Sequence, residues 1–343
     1  MGQTLSQPVT SKQTIRASDK NYKVGWSSMQ GWRVSMEDAH AVILRNPYDE
    51  YAPFFGVFDG HGGASVAACA SQTLLHDICG QNIYKEGHIT EAIKQGFLKC
   101  DEELKGNPFV RADLAGSTAV IVLIKDNKKL FCGNAGDSRA IAKVGDRVVA
   151  LSKDHKPMDE DEYLRIVQAG GYVDMNRVNG NLALSRALGD FNFKNNPQLP
   201  PERQIVTAYP DVTVFDITPE WEFIVMACDG IWDVLTNEEV GRFVAERLAR
   251  NVQPHTIAEQ LMDRCLAPDG QMGGIGLDNM TVIIIEFRKR KSLDGTTGVN
   301  SATEDGEEIV ISDADEEGGA EDGYGTRTGE EANQWSSGLE HVD

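Results

Sequence analysis

The 343-residue sequence contains no C-x-x-C pair, and its six cysteines, Cys69, Cys79, Cys100, Cys132, Cys228 and Cys265, lie far apart. That excludes a disulfide framework and a thiolate zinc site, and the thiols read as reduced, as in a cytoplasmic protein. The longest uninterrupted apolar run, Ala119 to Ile124, is strand-sized. A transmembrane helix needs about 20 such residues, so no span is expected. The amino terminus lacks the apolar core of a secretory signal. A G-x-x-x-x-G-K-[ST] loop is absent, which argues against a nucleotide triphosphatase. Positive charge is scarce: 33 bases face 53 acids, a formal net charge of -20. Nucleic acid is therefore not the expected partner, because neutralising phosphates needs a basic surface. What is plentiful is core-forming material, 41% hydrophobic residues, enough for one large or two modest globular units.

The charge is unevenly placed. Between Lys291 and Asp343 stand 15 acids and two bases, among many Gly, Ser and Thr residues and few large apolar ones. Such a segment cannot offset its ordering entropy by burial and reads as an acidic disordered tail over 291–343. A solvating appendage is the plain expectation for it; partner binding, or competition with substrate for a phosphate anchor, are the sharper ones. Residues 1–20 are polar and aperiodic and read as a flexible leader. They begin Met1-Gly2-Gln3-Thr4-Leu5-Ser6, which fits the M-G-x-x-x-[ST] acceptor pattern for N-myristoylation at Gly2; the competing reading is an unmodified leader. One myristoyl chain binds membranes only marginally, so any peripheral membrane association is expected to be reversible.

The body, residues 21–290, carries strand signals at Asp38–Leu44, Phe54–Phe58, Ser117–Ile124, Lys129–Gly133, Arg139–Lys143, Val148–Leu151, Val212–Asp216, Glu222–Cys228 and Met280–Phe287. Helix signals fall at Ala64–Ile78, Thr90–Leu104, Asp159–Ala169, Glu238–Arg250 and Thr256–Leu266, with Thr236 and Glu239 as a capping box and Gly170-Gly171 as a stop. Strands come in consecutive runs and helices in blocks, an order that favours an α+β fold with antiparallel sheets. Residues 154–210 are polar and less regular, an excursion from the core.

Two segments share a design. Phe54-Phe55-Gly56-Val57-Phe58 runs into Asp59-Gly60, and Phe223 to Cys228 runs into Asp229-Gly230. Two others mirror it: Glu37-Asp38 opens one strand, and Asp278-Asn279 opens another. If these strands are antiparallel neighbours, the starts of one lie beside the ends of the next, and Glu37, Asp38, Asp59, Asp229 and Asp278 meet at one mouth. Bare carboxylates at that density would repel one another into protonation or unfolding. A divalent cation removes the conflict, and an all-oxygen donor set suits magnesium or manganese. A single strand followed by Asp-Gly reads as a turn; four such units in two orientations point to metal. His61, beside Asp59-Gly60, would serve as a ligand or as a general acid. Arg33 offers the planar donor fork suited to phosphate.

The motifs that carry these residues resemble a known family. They are Ser28-Met29-Gln30-Gly31-Trp32-Arg33 with Met36-Glu37-Asp38-Ala39-His40, Phe58-Asp59-Gly60-His61-Gly62-Gly63, Gly116-Ser117-Thr118-Ala119 and Asn134-Ala135-Gly136-Asp137-Ser138-Arg139. They continue with Asp154-His155-Lys156-Pro157, Leu182 to Asp190 (LALSRALGD), Ala227-Cys228-Asp229-Gly230-Ile231-Trp232-Asp233 and Asp278-Asn279-Met280-Thr281. In this order, across about residues 22–287, they are similar to those of the metal-dependent serine/threonine protein phosphatases of the PP2C (PPM) type.

The resemblance implies a four-layer α-β-β-α sandwich of two antiparallel sheets flanked by helix pairs. It implies two Mn2+ or Mg2+ ions bridged by Asp59, with Asp229 and Asp278 on one and Glu37 and the Gly60 carbonyl on the other. Asp137, with Asp229, resembles the pair for a weaker third ion. Asp38 would orient water, Arg33 would anchor the phosphate and His61 would be the general acid. Residues 156–205 look like the family's flap beside the site. The implied reaction is hydrolysis of phosphoserine and phosphothreonine in proteins by a bridging hydroxide, without a phospho-enzyme, by a monomeric enzyme. The rival reading is an inactive binding or scaffold module, which should have lost ligands; all of those matched here are present.

Overall fold

The computed structural model describes residues 4–111, 114–270, 274–288 and 310–312. In chain order the main strands are β1 (Thr4–Ser18), β2 (Tyr22–Arg33), β3 (Ala39–Ile43), β4 (Phe54–Phe58), β5 (Ala119–Lys125), β6 (Lys129–Ala135), β7 (Arg139–Val144), β8 (Arg147–Ala150), β9 (Asp211–Asp216), β10 (Trp221–Ala227), β11 (Met280–Phe287) and β12 (Val310–Ser312). The main helices are α1 (Ser65–Cys79), α2 (Ile89–Gly106), α3 (Glu160–Gln168), α4 (Asn237–Leu248) and α5 (Pro254–Cys265). The strands build two antiparallel sheets, ordered β9-β6-β5-β4-β3 and β8-β7-β10-β11-β2-β1-β12.

Period-two patterning explains how the layers stack. Along β4 and β5, Phe54, Phe58, Ile121 and Leu123 point outward under α1 and α2, meeting Leu74, Ile78, Ile93 and Phe97. Their neighbours Phe55, Val57, Val120 and Val122 point inward and pack on Val24, Trp26, Ile224, Met226, Ile283 and Ile285 of the second sheet. The outer face of that sheet, including Phe223, Val225, Val282 and Ile284, lies under α4 and α5 through Val240, Val244, Ile257 and Leu261. The result is the expected α-β-β-α sandwich, in which each fully buried Phe or Ile contributes about 1.5–3 kcal/mol relative to exposure. The capping box is present, Thr236 accepting from the Glu239 backbone while Glu239 bonds back, and Gly170 takes φ +92 beyond α3.

The termini correct two expectations. Thr4–Ser18 is not a flexible leader but β1, paired along β2 from Thr4 opposite Arg33 to Ser18 opposite Lys23. Its side chains are mostly polar and exposed, and only Thr14 and Ala17 are buried. Backbone hydrogen bonds carry this pairing, and apolar periodicity does not report them. Its partner β2 also lacked a strand signal, because Gly25, Ser27, Ser28 and Gly31 interrupt the apolar pattern. In the segment read as a disordered tail, Val310–Ser312 forms β12 against Thr14–Arg16. A β-branched cluster, Ile309-Val310-Ile311, stands there in an otherwise acidic stretch. The rest of 291–343, and Gly2, lie outside the described residues.

The excursion between Asp154 and Pro210 is more built than its composition suggests. It holds α3, a short hairpin pairing Val173–Asp174 with Arg177–Val178, and a small core of Ile166, Val178, Ala187 and Val206. Glu162 clamps it by accepting from both Arg165 and Arg186 at 2.7 Å.

Candidate metal centre and phosphate site

Strand register brings the acids together. Ala39 lies opposite Phe58, so Asp38 and Asp59 leave adjacent strand ends. In the other sheet Ala227 lies opposite Val282, so Asp229 and Asp278 do the same. Carboxylate oxygens of Asp38 and Asp59 and the Cys228 sulfur all lie within 4.8 Å of one another. Burial, then the charges of Asp229, Asp38, Asp278 and Asp137, push the Asp59 carboxyl well above the carboxylate range. Asp229 is raised likewise, by burial and then by Asp137 and Asp278. Asp137 is raised by burial, against the opposing charge of Lys156, with which it forms an ion pair. Burial lifts Asp38 to about 7 although the Thr281 hydroxyl donates to it at 2.7 Å, and its buried Oδ1 has no hydrogen-bond partner among the described residues. Mutually repelling buried carboxylates with an orphaned oxygen fit a hard divalent cation.

Glu37 reaches the same mouth by a different route. Its backbone N–H donates to Asn279 Oδ1 at 2.9 Å, and its carboxylate accepts from Ser35 Oγ at 2.8 Å and from the Gly63 N–H at 3.2 Å. The loop lies directly on Gly60, where a Cβ would come within 2.2 Å of the Glu37 carbonyl oxygen. Only glycine lets these two segments touch. Arg33, at the end of β2, pairs with Asp278 and so stands at the rim. His61 Nε2 lies 2.8 Å from Asp190 Oδ2. Burial alone would lower the imidazole pKa, but the Asp190 charge and hydrogen bond, with Asp137 and Glu37, raise it.

Every site residue expected in the body therefore stands at one mouth: Arg33, Glu37, Asp38, Asp59, Gly60, His61, Asp137, Asp229 and Asp278. Sequence reasoning missed four side chains that hold them: Lys156 on Asp137, Thr281 on Asp38, Asp190 on His61 and Asn279 on Glu37. Asn279 resembles a glycosylation sequon, but it is buried and its amide donates to the Gln30 and Ser35 carbonyls. All four lie in motifs quoted above; their roles show only once the partners are in place. Burial raises all six thiols, so none is poised as a thiolate nucleophile.

Comparison with known proteins identifies the family. The family model described as protein phosphatase 2C matches residues 22–271. A probable protein phosphatase 2C of Caenorhabditis elegans is 51% identical over 321 residues, covering 91% of this chain and 89% of that protein. Protein phosphatase 2C homolog 2 of Schizosaccharomyces pombe is 45% identical, covering 86% of this chain and 80% of that one. A crystal structure of a phosphatase from Toxoplasma gondii superposes with a TM-score of 0.69 at 26% identity, covering 85% of this chain and all of the other. The chain belongs to the protein phosphatase 2C family of metal-dependent serine/threonine phosphatases.

Proposed function

We propose that phosphoserine and phosphothreonine are hydrolysed at this mouth by direct attack of water, with no phosphate passed to the protein. Two magnesium or manganese ions would be held by Asp59, Asp229 and Asp278 on one side and by Asp59, Glu37 and the Gly60 carbonyl on the other, with Asp137 and Asp229 taking a weaker third. Bound divalent cations supply a lowered pKa for water and neutralise charge on the phosphate oxygens. Arg33 binds the incoming phosphate through its donor fork. Asp38, steadied by Thr281, orients the attacking water. His61 donates a proton to the departing seryl or threonyl oxygen. The flap, 156–205, borders this entry through Lys156 and is the surface on which a protein substrate rests. The observation that carries the reading is the convergence of mutually repelling buried carboxylates beside an arginine and a histidine.

The test is phosphate release from a phosphothreonine peptide during a manganese titration, with Asp59→Ala alongside. Metal-dependent turnover lost in the variant is expected; turnover retained by Asp59→Ala removes the shared-ligand model. We further read the protein as a cytoplasmic monomer, with reversible membrane association through myristate at Gly2. Gly2→Ala should release the membrane fraction, and an unchanged distribution sinks the idea.

A further inference from the structure

The buried carboxylate of Asp190 has no place in the chemistry above, yet it is held with unusual care. Three short strands lie side by side: Gly60–His61 pairs with Gly116–Ser117, which pairs with Leu188–Gly189. The outer two carry His61 and the residue just before Asp190, and the two side chains meet over Gly116. A Cβ on Gly116 would lie 2.2 Å from Asp190 Oδ2 and 2.4 Å from His61 Nε2, so the middle strand leaves its side-chain space to this pair. Asp190 sits at φ +50, ψ +40, a left-handed conformation that Asp and Asn enter more readily than other side chains. Its N–H is bonded to the Ala115 carbonyl at 3.1 Å. The preceding Gly189, at φ +74, donates its N–H to Asp101 of α2 at 2.8 Å. Asp101 is in turn gripped by Lys194 at 2.7 and 2.8 Å, and Lys194 also donates to the Ala187 carbonyl. An ion pair from α2 to the segment just after Asp190 thus fixes the turn that aims Asp190.

We propose that Asp190 is a positioning residue for His61, accepting the Nε2–H so that the ring is held in one orientation and tautomer with Nδ1 as the proton-donating atom. The inference rests on the reading of His61 as general acid. Asp190 is 7% exposed and bonds the Nε2 edge of the ring. The proton given to the leaving oxygen comes from Nδ1 and is restored there from solvent, while Nε2–H stays on Asp190 throughout.

Two variants and two readouts test this. Asp190→Gly removes the carboxylate without straining the positive φ, and Asp190→Asn keeps size, conformation and an acceptor oxygen. In the metal-free full-length protein, long-range proton–nitrogen spectra of the neutral His61 ring should show the Nε2–H tautomer in wild type, a mixture in Asp190→Gly and recovery in Asp190→Asn. In the manganese-loaded enzyme, Asp190→Gly should slow an alkyl or phenyl phosphate about tenfold or more, and p-nitrophenyl phosphate little. Asp190→Asn should fall between Asp190→Gly and wild type. Added to His61→Gln, Asp190→Gly should have no further effect on the poor leaving group. An unchanged tautomer in both variants, equal slowing of both esters, or a full additional loss in the His61→Gln background each overturns the proposal. Equal slowing of both esters by His61→Gln alone instead overturns the general-acid reading, while the tautomer spectra still decide what Asp190 does.

Discussion

Removing the metal should leave a protein that loses stability as the pH rises through neutrality. The Asp38 carboxyl is lifted by burial from 3.8 to about 7 in the folded chain. The folded state then binds this proton more tightly than the unfolded state, so the stabilisation is complete below about pH 4 and gone above about pH 7. Between those limits the slope is about 1.4 kcal/mol per pH unit, which makes about 2 kcal/mol between pH 5.5 and 7.0. Asp59 and Asp229, also raised, act in the same sense. Glu162 and Asp211 do not contribute in this window. Arg186 and Arg165 hold Glu162 low against its burial, and His155 and then Arg186 hold Asp211 low. Their stabilisation is lost only as the pH falls through those lowered values. The assay is urea unfolding of chelator-treated wild type and Asp38→Asn at pH 5.5, 6.2 and 7.0. Wild type should weaken by about 2 kcal/mol or more, and the variant by that much less. Parallel profiles for the two proteins would refute the assignment of a buried, protonated Asp38.

Manganese should raise the unfolding free energy in a concentration-dependent way, by about 2.7 kcal/mol at 100 times its Kd, and most strongly at the alkaline end where the carboxylates are free. Loss of that shift in Asp59→Ala is expected, and a shift equal to wild type would place the ion elsewhere. Arg33→Lys keeps the charge but loses the fork, and should lower kcat/KM about 100-fold without changing the unfolding free energy by more than about 0.5 kcal/mol; unchanged kinetics would remove Arg33 from the phosphate site. Deleting residues 1–18 should cost more than about 3 kcal/mol, because it strips the hydrogen bonds of β1 from β2 and removes Ile15 and Ala17 from the inter-sheet core. A urea midpoint equal to that of the full chain would return this segment to the status of a leader.

The contrast between what could and could not be read from the sequence has a physical origin. Strands such as β4 and β10 are apolar on both faces because each is covered twice, by the other sheet and by helices, and so they stand out as runs that stop abruptly at Asp-Gly. Asp59, Asp229 and Asp278 were visible for the same reason: a carboxylate at the border of a buried strand needs an explanation that a surface acid does not. Strand β1 pairs through its backbone near one side of its sheet, with mostly polar, exposed side chains that carry no periodic record of that pairing. The residues that aim the site left even less trace. Asn279, Thr281, Lys156 and Asp190 act by donating or accepting one hydrogen bond across 19 to 243 positions of sequence. Any polar side chain offers that capacity, so only the fold says which one uses it. The clustered carboxylates could be inferred from the cost of burying charge, whereas the groups that orient them required register, because a hydrogen bond depends on where two strands end and not on how apolar they are.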